Sequence, residues 1–138
     1  MAIATPPRGV AKKRILVVDD EVSATRALAS LLTPEFEVEC ANDGFNGFEM
    51  ALKNPGPDLI VADVDMPGMI ATTMVARIRE KRKIPVIFLT ARTGPLDVVK
   101  GIQVGARHYI AKPVNIDELE KKIRRALGMG TSLPPGSS

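Results

Sequence analysis

The sequence predicts an α/β fold, a doubly wound parallel sheet of five strands with helices on both faces. Three observations predict it. Short apolar runs alternate with helical patterns, one pair every roughly 20 to 25 residues along the 138-residue chain. The main runs, Ile15-Leu-Val-Val18, Leu59-Ile-Val-Ala62 and Val86-Ile-Phe-Leu89, are continuously apolar rather than alternating, as strands covered on both faces must be. Strand followed by helix, repeated, is the pattern that parallel sheets require.

Each element has its own signals. Arg14 to Val18 reads as the first strand, closed by Asp19-Asp20. Ala24, Leu28, Leu31 and Leu32 then form the i, i+4, i+7, i+8 stripe of an amphipathic helix, stopped by Thr33-Pro34. Glu37 to Ala41 is a weaker second strand. Asn42-Asp43 offer a cap to a second helix whose Phe45, Phe48 and Leu52 share one face, until Asn54-Pro55-Gly56-Pro57 break the chain. The third strand is Leu59 to Ala62. Thr72 or Thr73 is the expected cap of a helix carrying Met74, Val75 and Ile78, and its basic last turn, Arg77 to Lys83, reads as cations at a helix C-terminus rather than as a binding patch. Pro85 to Leu89 forms the fourth strand and ends at Thr90. A fourth helix begins at Thr93-Gly94-Pro95, is weakened by Gly101 and closes at Gly105. Tyr109 to Ala111 is the fifth strand, with Lys112-Pro113 at its exit. Asn115 caps the last helix, with Glu118 at the capping-box position, a stripe of Ile116, Leu119, Ile123 and Leu127, and Gly128 as terminator.

The bulk numbers suit one domain. Apolar residues make up 45% and charged residues 25%, an ordinary globular balance. The expected organisation is a flexible tail over residues 1–12, a folded domain over 13–128, and a tail or linker over 129–138. A net charge of +3, with no dense basic and aromatic surface, argues against direct nucleic-acid reading. No apolar run reaches the roughly 18 residues of a membrane span, and the N-terminus lacks an apolar signal core, so the expected location is cytoplasmic with no membrane partner. Cys40 is the single cysteine, so no internal disulfide forms. Following Val38 at alternating spacing, it reads as a small buried hydrophobe.

In open α/β sheets, ligands bind outside the carboxyl ends of the strands. Those ends carry Asp19-Asp20, then Asp63 and Asp65, then Thr90, then Lys112, while the second strand's end, Ala41-Asn42, adds no charge. Converging carboxylates repel one another, and a divalent cation removes the conflict. An all-oxygen set without a His or Cys pair selects a hard ion such as Mg2+. An ammonium and a hydroxyl at the same rim suit phosphoryl oxygens, so the edge reads as a site for phosphoryl chemistry with a carboxylate acceptor.

The blocks ILVVDDE, DLIVADVDMPGM, PVIFLTA and GARHYIAKP, in that order and spacing, resemble the response-regulator receiver domain of two-component signalling from about Lys13 to about Leu127. The resemblance implies a flavodoxin-like sheet of order 2-1-3-4-5. It implies a phosphoacceptor that takes a phosphoryl group from a kinase phosphohistidine onto Asp63 and switches conformation. It further implies Mg2+ held by Asp19, Asp20, Asp63 and the backbone carbonyl of Asp65, with Thr90, Lys112 and Tyr109 as phosphoryl-binding and switch residues, and a cis Lys112-Pro113 bond. A domain of this kind is not an enzyme in the ordinary sense, since it catalyses only its own phosphorylation and slow self-dephosphorylation. The implied partners are a sensor histidine kinase or phosphotransfer protein, and a downstream target or an effector domain beyond the C-terminus. A dimer through the face of the fourth helix, fifth strand and last helix is also implied.

Two departures from the family pattern stand out. Asp65 occupies a position that influences how long the phosphoryl group survives, and Ile70-Ala71 replace a common Asp-Gly. Tyr109 is either the switch aromatic or a plain strand aromatic. Arg92 either touches substrate or is solvated, and His108 has no matching ligand partner and reads as structural or exposed. Two rival functions are weaker. Asp63-Val64-Asp65 superficially resembles the nucleophile motif of haloacid-dehalogenase phosphatases, but that motif belongs at the first strand, and the chain has no room for the usual cap. A non-phosphorylated interaction module is disfavoured by the joint presence of Asp19, Asp20, Asp63, Thr90 and Lys112. The stretch SLPPGSS is compatible with a free-standing regulator or with the start of an interdomain linker.

Overall fold

A strand that is apolar at every position has two faces to cover, and the chain covers both. The computed structural model describes residues 12–64, 71–90 and 106–129, and at 106 and 107 the backbone alone. In chain order the elements are β1 (Arg14–Val18), α1 (Val22–Leu32), β2 (Glu37–Ala41), α2 (Gly44–Ala51), β3 (Leu59–Asp63), α3 (Ala71–Arg79), β4 (Val86–Thr90), β5 (Ala106–Ala111) and a C-terminal helix (Ile116–Ala126). All the strand pairs are parallel, in the order β2-β1-β3-β4-β5.

Successive residues of each central strand serve opposite cores, because side chains alternate across a sheet. Leu16, Val18, Ile60, Ala62, Val86 and Phe88 meet Ala51 of α2 and Ala71, Met74, Val75 and Ile78 of α3. Ile15, Val17, Leu59, Val61, Ile87, Leu89 and Ile110 meet Leu28 and Leu32 of α1 and Leu119 and Ile123 of the C-terminal helix. Met129 donates its N–H to the Arg124 carbonyl at 2.8 Å and rests against the second core.

Several sequence expectations are corrected. In α1 the buried residues are Thr25, Leu28 and Leu32, while Leu31 is 54% exposed, so the stripe is narrower than its periodicity suggested. The fully buried residues of α2 are Gly44, Gly47 and Ala51, Phe48 is partly buried against the same core as expected, and Phe45 is 61% exposed. A Cβ on Gly47 would sit 2.7 Å from the Met74 sulfur and 3.2 Å from Val18, so α2 approaches β1 and α3 too closely for large residues. Thr72 and Thr73 lie inside α3, not ahead of it, because the helix already includes Ala71. Only Arg77 and Arg79 of the basic run are in the helix's last turn; Arg82 lies beyond and donates to the Ala51 and Lys53 carbonyls, serving the end of α2 instead. Strand β5 starts at Ala106, earlier than the Tyr109 expected, and Cys40 is half-buried on an edge strand rather than buried.

Three helix-end signals agree with the structure. Asp43 caps α2 by accepting from Asn46 N–H at 2.7 Å, and Asn115 caps the C-terminal helix by accepting from Glu118 N–H at 3.0 Å. Gly128, at φ +70°, ends that helix in the left-handed region that glycine tolerates. The expected fourth helix from Thr93 to Gly105, Arg92, Asp65, Met66-Pro67-Gly68 and Ile70 lie outside the described residues. Among the described residues no helix is long and apolar enough to cross a membrane.

Gly47→Val should lower the unfolding free energy by about 2 kcal/mol, since overpacking a tight contact typically costs about 1–3 kcal/mol. Phe45→Ala on the same helix should change it by less than about 0.5 kcal/mol. Urea denaturation of both variants checks the contrast.

Candidate functional site

Parallel strands in register end together, and that alignment builds the site. Val18 lies opposite Ala62, Asp63 opposite Leu89, and Thr90 opposite Ala111, so the residues at each strand's exit share one edge. Backbone bonds continue the alignment past the strands: Asp19 N–H reaches the Ala41 carbonyl, and Lys112 N–H reaches the Thr90 carbonyl at 2.9 Å. The Lys112–Pro113 peptide is cis.

At this edge, otherwise lined by core, Asp19, Asp63 and Thr90 are all buried, while Asp20 is exposed. Carboxylate oxygens of Asp19, Asp20 and Asp63 lie within 4.8 Å of one another, the one such group of potential metal ligands among the described residues. Lys112 reaches in from the end of β5, its ammonium 3.1 Å from Asp63 and 3.8 Å from Asp19. Fully ionised, three carboxylates and one ammonium leave a formal surplus of two negative charges. A divalent cation matches that surplus, and an all-oxygen donor set suits a hard ion.

The electrostatics follow from this crowding. Burial pushes the Asp19 carboxyl up to about 6, and the charge of Asp63 and a hydrogen bond with Asp20 push the same way. The Glu21 N–H, 3.0 Å from Asp19 Oδ1, and the Lys112 ammonium oppose the rise without cancelling it. Burial alone would lower the Lys112 pKa, but its hydrogen bond and charge attraction to Asp63, with help from Asp19 and Glu21, hold it raised. The lysine is therefore a fixed cation at neutral pH.

Tyr109 lies opposite Phe88, with ring centroids 5.9 Å apart and planes at 44°, and is half-buried against the core. Burial raises its phenol pKa. His108 is half-buried on β5 and is not a member of the carboxylate cluster. Asp19, Asp20, Asp63 and Lys112 are thus brought together, Thr90 shares their edge, and Tyr109 lies farther back on β5.

Sequence reasoning missed Asn42, which it set aside as uncharged. Its side-chain nitrogen donates to the Asp19 carbonyl at 2.9 Å and to the Thr25 hydroxyl at 3.2 Å. The available signal was positional, since Asn42 leaves β2 at the same edge as Asp19 leaves β1.

Comparison with known proteins agrees with this fold. The family model of the response regulator receiver domain matches residues 15–124. The chain is 36% identical over 117 residues to the sensory transduction protein RegX3 of Mycolicibacterium smegmatis, covering 84% of this chain and 51% of that protein. It is 38% identical over 116 residues to the transcriptional regulatory protein AfsQ1 of Streptomyces coelicolor, covering 84% and 51% respectively. The chain therefore spans about half the length of these relatives. Among solved structures, the Vibrio cholerae chemotaxis protein CheY4 superposes with a TM-score of 0.80 at 33% identity, covering 85% of this chain and all (100%) of that one. The BeF3-activated DrrB receiver domain superposes with a TM-score of 0.77 at 27% identity, covering 86% and 99%.

The buried carboxylate should leave a pH signature in metal-free protein. Asp19 titrates near 6 when folded and near its ordinary 3.8 when unfolded, so the folded state binds more protons between those values. Its contribution to stability is therefore lost as pH rises through that window. Asp19→Asn, which carries no charge to bury, should match wild type near pH 3.5 and exceed it by ~3 kcal/mol at pH 7 in chelator. Urea melts across pH check this, and an advantage that shrinks as pH rises would contradict it.

Proposed function

The chain belongs to the response regulator receiver family, and on that footing we propose that it is a phosphoacceptor whose Asp63 takes a phosphoryl group from a phosphohistidine of a sensor kinase or phosphotransfer protein. One observation carries this reading: a buried carboxylate, Asp63, with an ammonium at 3.1 Å and oxygens of two further carboxylates within 4.8 Å. Such a group, beside a fixed cation and a candidate cation site, suits the receipt of a phosphoryl anion.

Asp19, Asp20 and Asp63 are the residues that would hold Mg2+, joined by the backbone carbonyl of Asp65. Bound there, the ion supplies neutralisation of the charge that develops on the phosphoryl oxygens. The chain's own residues do the rest. An oxygen of Asp63 attacks phosphorus in line, the O–P bond forms as the P–N bond breaks, and the partner's imidazole leaves with the bonding pair. Lys112 exchanges its contact with the free carboxylate for one with the phosphoryl group. Thr90, at the same edge, donates its hydroxyl to a phosphoryl oxygen, and Tyr109 rotates into the space that Thr90 vacates.

The modified aspartate gains the charge of a phosphoryl group, and the switch follows from differential bonding to it. Moving a two-state element almost completely takes about 5.5 kcal/mol, and charge-assisted hydrogen bonds contribute about 1.5–3 kcal/mol each. Three such bonds, from Lys112, Thr90 and the backbone, supply about 4.5–9 kcal/mol, a range that spans the requirement. The readout is a target protein or an effector domain joined to this one, with the face of the fourth helix, β5 and the C-terminal helix as the docking or dimer surface. A cytoplasmic setting goes with this proposal.

Phosphotransfer from a labelled histidine kinase tests the assignment. Wild type should take up about one phosphoryl group per chain in magnesium and almost none in chelator, and Asp63→Asn should take up none while keeping its fold by circular dichroism. Labelling of Asp63→Asn at the wild-type rate would remove Asp63 from this role. Repeated turnover of a small phosphate ester by wild type would point to a phosphatase instead.

A further inference from the structure

We propose that Asn42 is a positioning residue for the cation site, its amide nitrogen holding the Asp19–Asp20 peptide plane against the first turn of α1 so that both carboxylates face one ion. The proposal rests on the reading of Asp19, Asp20 and Asp63 as cation ligands.

The hydrogen bonding around Asn42 closes on itself. The Thr25 hydroxyl has one hydrogen and gives it to the Val22 carbonyl at 2.9 Å, so toward Asn42 it can only accept. The Asp19 carbonyl likewise only accepts. Both contacts come from Asn42 Nδ2, whose two hydrogens match the two acceptors. Thr25 is itself buried, so this amide is tied to a fixed point of α1 rather than to a mobile side chain.

The consequence lies at the metal-ligand turn. The Asp19 carbonyl belongs to the planar peptide that carries Asp20, so fixing that oxygen fixes the plane from which the exposed Asp20 side chain departs. The other bonds already hold the flanks. Asp19 N–H is bound to the Ala41 carbonyl, Glu21 N–H to Asp19 Oδ1, and Ala24 and Thr25 N–H to the Glu21 carbonyl. Without Asn42, the carbonyl of the Asp19–Asp20 peptide has no described hydrogen bond to hold it. Rotation of that plane would re-aim Asp20 while β1 and α1 stay in place. Partners one step behind a metal ligand commonly change affinity by about 10- to 100-fold.

The test separates positioning from general stability. Magnesium affinity is measured by calorimetry, and urea stability is measured in chelator and in saturating magnesium, for wild type, Asn42→Leu, Asn42→Ala, Thr25→Val and Asn46→Ala. The last removes a contact between Asn46 and Asp43 at the α2 cap and serves as a local control. Asn42→Leu and Asn42→Ala should weaken magnesium binding about tenfold, and the stabilisation that magnesium confers should shrink accordingly. Thr25→Val, which removes one acceptor but leaves the Asp19 bond, should weaken binding less, and Asn46→Ala should leave it unchanged. Wild-type magnesium affinity in the Asn42 variants, or a stability loss that is equal with and without magnesium, would overturn the proposal. If the Asn42 variants do not fold, wild-type affinity in Thr25→Val would overturn it. Wild type that binds no magnesium would instead overturn the cation-site reading on which this inference rests.

Discussion

The structure turns on a concentration of negative charge at the carboxyl edge of the sheet, held by one ammonium. Asp19 and Asp63 are buried among hydrophobic strands, where an uncompensated carboxylate is costly. Lys112 offsets part of that cost at 3.1 and 3.8 Å, and the raised pKa of Asp19 measures the part left over. A cation bound beside these carboxylates would offset the remaining cost.

Sheet topology creates that imbalance from residues far apart in the chain. Asp19, Asp63 and Lys112 come from three different strands, and register brings them into one row. The two cores beneath them, one on each face, keep that row rigid. Asn42 and Thr25 extend the support sideways from β2 and α1, so the turn carrying Asp19 and Asp20 is held from both flanks. Rigid support matters for the proposed phosphoacceptor role, which depends on small differences in bonding that a loose frame would blur.

Much of this was legible in the linear chain. Continuous apolar runs revealed the buried strands, and polar residues straight after them, Asp19-Asp20, Asp63, Thr90 and Lys112, marked the edge where a ligand would sit. Helix ends were legible wherever a local hydrogen bond decides them, as at Asp43, Asn115 and Gly128. The sequence was misleading where packing decides instead. Phe45 has the composition of a core residue, yet α2 makes its fully buried contact through Gly44, Gly47 and Ala51, with Phe48 and Met50 partly buried beside them, and the Phe45 ring is left outside. Arg82 looked like a cation for its own helix and serves the neighbouring one.

The sequence by itself determined the class of fold and the chemical character of the site, because hydrophobic periodicity and the residue types at strand ends are local properties. The tertiary structure alone decided how near the carboxylates stand, which of them Lys112 meets, and that an uncharged asparagine braces their turn. Those are distances between segments brought together only by strand pairing. Local pattern names the groups, but charge and hydrogen bonding act through space, and only the folded chain sets those separations.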